Sequence, residues 1–239
     1  MSRALFISDL HLSAERPDTS QKFFEFLDAQ ASRAQALYIL GDLFEYWLGD
    51  DELQAGGDTL AQEVAAALKR VSGSGVRVAL MHGNRDFLIA AGFCRATGAT
   101  LLEDPSKVDG TLLMHGDTLC TDDHDYQNWR RTARSAQWQR GFLAKSIASR
   151  RTEIEGLREK SKEVVAAKPA DIMDVNADAV REAFRRHRVR RLIHGHTHRP
   201  GRHDVEVDGH ACVRWVLPDW YGPGGYLAID KVGAQLVGF

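Results

Sequence analysis

Aspartate, asparagine and histidine recur in this sequence at one kind of place, the end of a short apolar run. Ala4-Leu5-Phe6-Ile7 leads into Asp9 and His11, and Leu37-Tyr38-Ile39-Leu40 leads into Gly41-Asp42. Val76 to Met81 leads into Gly83-Asn84-Arg85-Asp86, and Leu112-Leu113-Met114 into His115-Gly116-Asp117. Leu192-Ile193 leads into His194-Gly195-His196-Thr197-His198. Carboxylate and amide oxygens with imidazole nitrogens, and no thiolate among them, suit Mn²⁺, Fe or Zn²⁺, with Mn²⁺ the more oxygen-tolerant choice. Asp42 has two oxygens and can bridge two cations. A cation pair clamps a phosphoryl group, lowers the pKa of a bound water and stabilises the leaving oxygen. The chemistry in prospect is hydrolysis of a phosphate ester or anhydride.

Each fragment alone is weak. Asp-x-His and Gly-Asp are ordinary turn sequences, and a single His115 or Asn84 could be a core histidine or a turn former. Three histidines between His194 and His198 are a stronger sign of a bound metal or phosphate. The set gains its weight from position. Ligands of open α/β sheets gather beyond the carboxyl ends of strands, and every fragment falls there.

The elements that must hold these residues follow from period and punctuation. Strand-like runs fall near 4–8, 36–40, 76–81, 111–114, 191–194, 211–217, 226–230 and 235–238. Ser20 is the expected cap of a helix whose apolar residues Phe23, Phe24, Phe26 and Leu27 fit a period near four. Thr59 opens a second helix through Val64, Ala67, Leu68 and Val71, stopped by Gly73 and Gly75. Asn176 to His187 is a third, with Val180, Ala183 and Phe184 on one side. Strands alternating with helices predict an α/β layered fold. The last strands follow one another, as in an antiparallel addition to the sheet. From about residue 123 to 174 the alternation breaks, in a stretch holding Trp129, Trp138, Phe142, Leu143 and Ile147. Trp138–Phe142 and Leu143–Ile147 stand at helical i,i+4 spacing. The stretch reads as a helical cap inserted in a single domain spanning 1–239.

With 44% apolar and 27% charged residues, the chain can fill a core and keep a soluble surface. The net charge of −2 conceals an uneven distribution, because Tyr126 to Lys168 carries eleven Lys or Arg against four Glu. A basic segment therefore sits on an acidic body. It could attract an anionic substrate or membrane surface, or be a solvated helix face. Cys94, Cys120 and Cys212 are widely spaced, which argues against a disulfide framework and for a reducing compartment. The N-terminus runs at once into the first strand, leaving no room for a signal peptide. No apolar run approaches the roughly 18 residues of a membrane span. A cytosolic protein able to touch a membrane from that side is expected.

Asp9-x-His11, Gly41-Asp42, Gly83-Asn84, His115 and Gly195-His196-Thr197-His198 together resemble the five motifs of the calcineurin-like metallophosphoesterases, in order and approximate spacing. The resemblance implies a four-layer α/β/β/α sandwich with a two-metal site. It implies that Asp9, His11, Asp42 and His198 hold one metal, and Asp42, Asn84, His115 and His196 the other. One position departs from the pattern. Most of that family has a His after Gly-Asn, used to protonate the leaving group, where this chain has Arg85. An alcohol leaving group needs such an acid, whereas a phosphate with a second pKa of about 6 hardly does. Arg85 can instead fork onto phosphate oxygens, so the departure favours a phosphoanhydride over a phosphomonoester.

The wording around the motifs is closer than that large family requires. Leu40 to Glu45, His82 to Phe87, Met114 to Asp123, Ile172 to Asn176 and Ile193 to Pro200 resemble the branch that acts in lipid A biosynthesis. That resemblance implies hydrolysis of the diphosphate of UDP-2,3-diacylglucosamine at its α-phosphorus, giving UMP and 2,3-diacylglucosamine 1-phosphate. It implies two Mn²⁺ ions and peripheral attachment to the cytoplasmic face of the inner membrane. It implies substrate contacts from Asn84, Arg85, Asp123, Ser161, Lys168 and His196, with Asp42, Asn84 and Arg85 catalytic. Val165 stands where related sequences have an Asn, removing one polar contact. Trp129, Trp138, Phe142 and Ile147 are candidates for an apolar groove taking the acyl chains. Competing readings are a pyrophosphatase or phosphodiesterase of soluble nucleotides and a non-catalytic scaffold, although a scaffold would usually have lost metal ligands. Nucleic acid is a poor fit, because the cap's aromatics stand beside aliphatic residues and not on a stacking platform. Oligomeric state leaves no mark in the sequence.

Overall fold

The inner strands are continuously apolar because both of their faces are covered. The computed structural model describes residues 3–54, 57–167 and 172–239, with side chains throughout these except at 160–167. Its strands are β1 (Ala4–Ile7), β2 (Ala36–Leu40), β3 (Arg77–Met81), β4 (Thr100–Leu102), β5 (Ser106–Val108), β6 (Thr111–Leu113), β7 (Arg191–His194), β8 (Gly201–Val207), β9 (His210–Val216), β10 (Gly225–Ile229) and β11 (Ala234–Gly238). They form one sheet in the order β11-β10-β1-β2-β3-β4 and another in the order β5-β6-β7-β9-β8. β1 to β4 run parallel, as do β6, β7 and β9.

Side chains of alternate residues go to different layers. Leu5, Ile7, Leu37, Ile39, Val78 and Leu80 pack with Phe23, Phe26 and Leu27 of α1 (Pro17–Ala29) and with Val64 and Leu68 of α2 (Thr59–Gly73). Their neighbours Phe6, Tyr38, Leu40, Ala79 and Met81 turn the other way and meet Leu113, Ile193 and Trp215 of the second sheet. Leu112 and Leu192 face the far side, against Val180 and Phe184. Those two belong to a helix at Ala177–His187, the seventh in chain order. The layers therefore run α/β/β/α, the sandwich expected. Each fully buried Leu, Ile or Phe contributes about 1.5–3 kcal/mol, so the period-two sorting is what holds the layers in register.

Several local expectations need correction. Ser20 is not a cap: α1 starts at Pro17, whose fixed φ suits a first helical position, and Ser20 is buried within the helix. α2 opens at Thr59 and ends at Gly73 as expected, and Asp58 caps it by accepting the Ala61 N–H at 2.9 Å. The C-terminal strands divide between the sheets, β8 and β9 joining the second and β10 and β11 the first. β4 and β5 went unseen because each is only three residues long, and β8 because it is polar; it carries Arg202, His203, Asp204 and Glu206, the charges that protect an edge from further pairing.

Between β6 and β7, before the helix at Ala177–His187, come α3's successors: α4 (His124–Ala133), α5 (Ala136–Leu143) and α6 (Ile147–Ala167), α3 itself being Ala91–Thr97. Trp138 and Phe142 stack at 4.9 Å as their spacing predicts. Leu143 and Ile147 fall on different helices, so no i,i+4 pair joins them. Much of the basic charge here is consumed in docking. Arg130 donates to Asp117 at 2.7 Å, Arg134 to the Gly83 carbonyl at 2.8 Å, and Arg158 to Glu45 at 2.8 Å. Arg150 is 3% exposed and bonds the Leu48 carbonyl and the Asp51 carboxylate.

The helix at Ala177–His187, α7, begins with Asn176, whose Oδ1 accepts the Asp178 and Ala179 N–H groups at 2.9 and 3.0 Å. Replacing Asn176 by Ala removes that cap and is expected to lower stability by about 1–2 kcal/mol. A shift of the urea midpoint at unchanged m-value is the measurement, and an unchanged midpoint would contradict the role.

Candidate metal centre

All seven candidate ligands lie beyond the carboxyl ends of parallel strands, where the two sheets meet. Asp9 and His11 follow β1, Asp42 follows β2, Asn84 follows β3, His115 follows β6, and His196 and His198 follow β7. Five of them take a left-handed backbone: φ is 54° at Asp9, 50° at His11, 53° at Asp42, 68° at His196 and 54° at His198. That conformation turns the chain sharply as it leaves each strand. Asp, Asn and His tolerate it better than most residues, yet it costs about 1–3 kcal/mol at each position.

Hydrogen bonds fasten the loops to one another. Asp9 N–H donates to the Gly41 carbonyl (3.1 Å), His11 N–H to the Asp42 carbonyl (3.0 Å) and Gly195 N–H to the His115 carbonyl (2.8 Å). Asp9 Oδ2 accepts the Ser8 hydroxyl at 2.6 Å and the His196 N–H at 2.8 Å. Asp42 Oδ1 accepts the Arg85 N–H at 2.8 Å. Asp86, fully buried, accepts the Gly83 and Leu43 N–H groups at 2.8 Å each and so ties the loops after β2 and β3 together. Space is tight enough to demand glycine. A Cβ on Gly83 would lie 2.0 Å from Asp42 Oδ1, and one on Gly195 would lie 2.2 Å from Asp9 Oδ2.

The atoms left over converge. His115 Nδ1–H donates to the Leu40 carbonyl at 2.9 Å, which turns Nε2 toward Asn84 Oδ1 at 3.1 Å. His196 Nδ1 approaches the same Asn84 oxygen at 2.9 Å. Asp42 Oδ2 lies 3.7 Å from His11 Nε2 and 3.9 Å from His115 Nε2, between the two groups of donors. Asp9 Oδ1 lies 3.6 Å from His198 Nε2. Donor atoms of Asp9, His11 and His198 fall within 4.8 Å of one another, and so do those of Asp9, Asp42 and His115. Asp9 Oδ1 and both His11 ring nitrogens are buried without a hydrogen-bond partner among the described residues. Unpartnered oxygen and nitrogen donors facing one point fit divalent cations, and such groups are otherwise costly to bury.

The protonation balance fits the same reading. Burial, reinforced by the Asp86 and Asp9 carboxylates, pushes Asp42 up to about 7 against the opposing charge of His115. At His115 burial works against charge, but Asp42, Asp117 and Asp9 override it and raise the imidazole to about 9. Burial and the His115 charge bring His196 down to about 4, and burial lowers His11 well below its usual value. Asp9 moves downward although burial opposes it, because His198, His115 and His11 surround its carboxylate.

Beside this cluster lies a cleft of about 230 Å³. Asn84, Arg85, Asp123 and His196 line its polar end, and Arg85 Nε is buried there without a hydrogen-bond partner among the described residues. Asp123 also caps α4, accepting the Tyr126 N–H at 3.1 Å. Phe87, Trp129, Trp138, Ile154 and Leu157 form the apolar wall. Of the aromatic and aliphatic candidates, Trp129 and Trp138 are in it. Phe142, 2% exposed in the main core, and Ile147, which packs against that core, are not in the cleft wall. Lys168 lies outside the described residues, and Ser161 and Val165 fall on α6 where no side chain is described.

Sequence reasoning passed over several supporting residues. Asp117, fully buried, accepts the Tyr126 hydroxyl at 2.6 Å besides Arg130. Glu45 Oε2 stands 3.4 Å from His11 Nδ1 and accepts the Tyr221 hydroxyl at 3.1 Å. His194 is not in the cluster; it accepts from Arg214 at 3.0 Å and donates to the Gly195 carbonyl at 2.8 Å. Its neighbour spacing alone could not separate it from His196, but strand alternation could have, since residue 194 is still in β7.

Comparison with known proteins agrees with this geometry. The profile of the calcineurin-like phosphoesterases matches residues 2–200. A protein of Pseudomonas paraeruginosa named UDP-2,3-diacylglucosamine hydrolase is 50% identical over 241 residues, covering 98% of each chain. One of the same name from Aromatoleum aromaticum is 49% identical over 234 residues, covering 96% of this chain and 94% of that one.

The titrations predict how stability follows pH without metal. A histidine raised to about 9 contributes stability that is complete below its unfolded value near 6.5 and is lost as pH rises through 9. Asp42, raised to about 7, works in the same direction, since its ionisation in the folded state is resisted. His11 and His196, held low, favour the folded state once pH exceeds about 6.5 and add no slope above it. Urea titrations of chelator-treated protein should therefore show a lower midpoint at pH 9 than at pH 7. Added Mn²⁺ should stabilise most at the higher pH, because cation binding expels these protons. Equal stabilisation at both values would contradict the assignment.

Proposed function

The chain belongs to the calcineurin-like phosphoesterase family, and from that premise we propose that it hydrolyses the diphosphate of UDP-2,3-diacylglucosamine, as the names of its relatives indicate for them. The observation carrying the reading is the junction of two unlike features. A cluster of unpartnered oxygen and nitrogen donors opens directly into a cleft with one polar end and one apolar wall. A soluble dinucleotide has no use for that wall.

The residues divide the work. Asp9, His11, Asp42 and His198 would hold one divalent cation, and Asp42, Asn84, His115 and His196 the other. When bound, such a pair supplies Lewis-acid charge to phosphoryl oxygens and a nucleophile from water near neutral pH. Mn²⁺ matches the mixed donor set. Arg85 presents its guanidinium to the diphosphate, where charge-assisted hydrogen bonds are strongest; its backbone is fixed by the N–H bond to Asp42 and by the Trp47 N–H at 3.2 Å on its carbonyl. Water adds at the α-phosphorus, the bond to the bridging oxygen breaks, and UMP and 2,3-diacylglucosamine 1-phosphate leave. The departing phosphate needs no protonation, so an arginine suffices where an alcohol would require an acid. Helices α4 to α6 serve as a cap, and Trp129, Trp138 and Leu157 take up the acyl chains. Because those chains reside in a bilayer, the protein works peripherally at the cytoplasmic face of the inner membrane in lipid A biosynthesis. No helix among the described residues is long and apolar enough to cross a membrane.

Hydrolysis in ¹⁸O-water should place the label in UMP, and label in the diacylglucosamine 1-phosphate would refute attack at the α-phosphorus. A dinucleoside polyphosphate offered in place of the lipid should react negligibly; the opposite preference would overturn the assignment. Asp42→Ala and His115→Ala are expected to abolish turnover.

Arg85→Ala should cut kcat/KM by about 10²-fold, the usual loss when one donor to developing charge is removed. The loss should fall on kcat more than on KM. Unaltered steady-state constants would show that the guanidinium does not touch the diphosphate.

A further inference from the structure

A second cavity, about 270 Å³, opens on the opposite side of Glu45 from the apolar cleft. The two share Glu45, Tyr46 and Arg158 as a partition, stiffened by the Arg158–Glu45 ion pair at 2.8 Å and by Arg158 lying 5.4 Å from the Tyr46 ring centre. The cleft adjoins Asn84 and His196. The second cavity instead begins beside His11: Leu12 and Ser13 are in its wall, and Glu45 Oε2 is 3.4 Å from the His11 ring. The donor cluster therefore adjoins the cleft through Asn84 and His196, and the second cavity through Glu45 and the residues that follow His11.

Resting on the hydrolase reading above, we propose that this second cavity is the nucleoside subsite of the enzyme. A substrate attacked at its α-phosphorus carries two arms. One reaches the acylated sugar through the β-phosphate and suits the apolar cleft. The other is the ribose, joined to the attacked phosphorus through a single oxygen, so its pocket must start at the metal ligands themselves. The second cavity begins one residue beyond His11, at Leu12, and at Glu45, 3.4 Å from the His11 ring.

Its chemistry suits a nucleoside better than the alternatives. Glu52, Asp58 and Glu155 join Glu45 in the wall, against Arg151 and Arg158. An excess of carboxylates repels phosphate but accepts hydrogen bonds from the ribose hydroxyls and from the imide N–H of uracil. Half-buried Tyr46 and Leu60 offer apolar surface to the flat base, above the buried Phe44 and Trp47.

The test uses UMP as probe on full-length, Mn²⁺-loaded protein. Ala14 is exposed in the cavity wall, so Ala14→Trp fills the cavity without disturbing a buried residue; Glu155→Gln, also at an exposed position, removes one acceptor charge at constant shape. Calorimetry should show saturable UMP binding to the unmutated protein, weakened about tenfold or more by Ala14→Trp and severalfold by Glu155→Gln. Binding of 2,3-diacylglucosamine 1-phosphate should stay within about twofold. No UMP binding to the unmutated protein, equal binding in all three, or equal weakening of both ligands would each overturn the subsite. UMP binding lost in the variants, from a protein that leaves UDP-2,3-diacylglucosamine intact, would sustain the subsite while refuting the hydrolase reading.

Discussion

Burying ionisable groups together without a compensating charge is the constraint on which the rest of this structure depends. Asp9, His11, Asp42 and His115 are each at most 2% exposed, and Asp86 and Asp117 beside them are fully buried. Desolvation on that scale drives a group to neutralise or to find a partner. Part of the cluster is neutralised internally, as the upward shift of His115 beside Asp42 shows. The unpartnered Asp9 oxygen and His11 nitrogens are not. A divalent cation removes the deficit at once, so the site is costly to build and becomes favourable when loaded. The same logic explains the left-handed ligand residues: strained backbone persists where surrounding structure over-determines it, and here the loops bond one another as well as their own strands.

The four-layer fold is the means of bringing those loops together. Strands buried on both faces can meet edge-on at their carboxyl ends with helices kept to the outside. The loops after β1, β2 and β3 carry the candidate carboxylates, the amide and the His11 imidazole from one sheet, while those after β6 and β7 carry the other three imidazoles. The inter-sheet layer of Phe6, Tyr38, Met81, Leu113, Ile193 and Trp215 fixes the separation of the two sets. Glycines at 83 and 195 then allow the loops to pass within contact of the carboxylates.

Much of this was legible in the sequence, for a physical reason. Inner strands announce themselves by unbroken apolar runs, and the ligands follow those runs directly, so β1, β2, β3, β6 and β7 and the residues after them could be read together. β4 and β5 could not, because three residues show no period, and β8 could not, because its charged residues break any such run. The division of the last four strands between two sheets was equally hidden: a hairpin such as β10–β11 carries its local pairing in its sequence but not the choice of β1 as its neighbour. In the helical insertion, aromatic residues were visible but their direction was not. Trp138 and Phe142 stack on each other, yet one faces the cleft and the other the core, a distinction set by tertiary packing and not by period.

The basic segment shows what composition leaves out when the partners of its charges are unknown. Its charge suggested attraction to an anionic surface, whereas Arg130, Arg134, Arg150, Arg151 and Arg158 turn inward to Asp117, the Gly83 carbonyl, Asp51, Glu52 and Glu45. Two of those acceptors adjoin the ligands: Asp117 lies in the loop after His115, and Glu45 stands against His11. Groups that hydrogen-bond a metal-binding imidazole, or hold its loop, set its orientation and basicity. The positive charge of α4 and α6 therefore docks these helices onto carboxylates beside the candidate metal centre, so that the walls of the cleft and the candidate ligands beneath it are positioned by the same ion pairs.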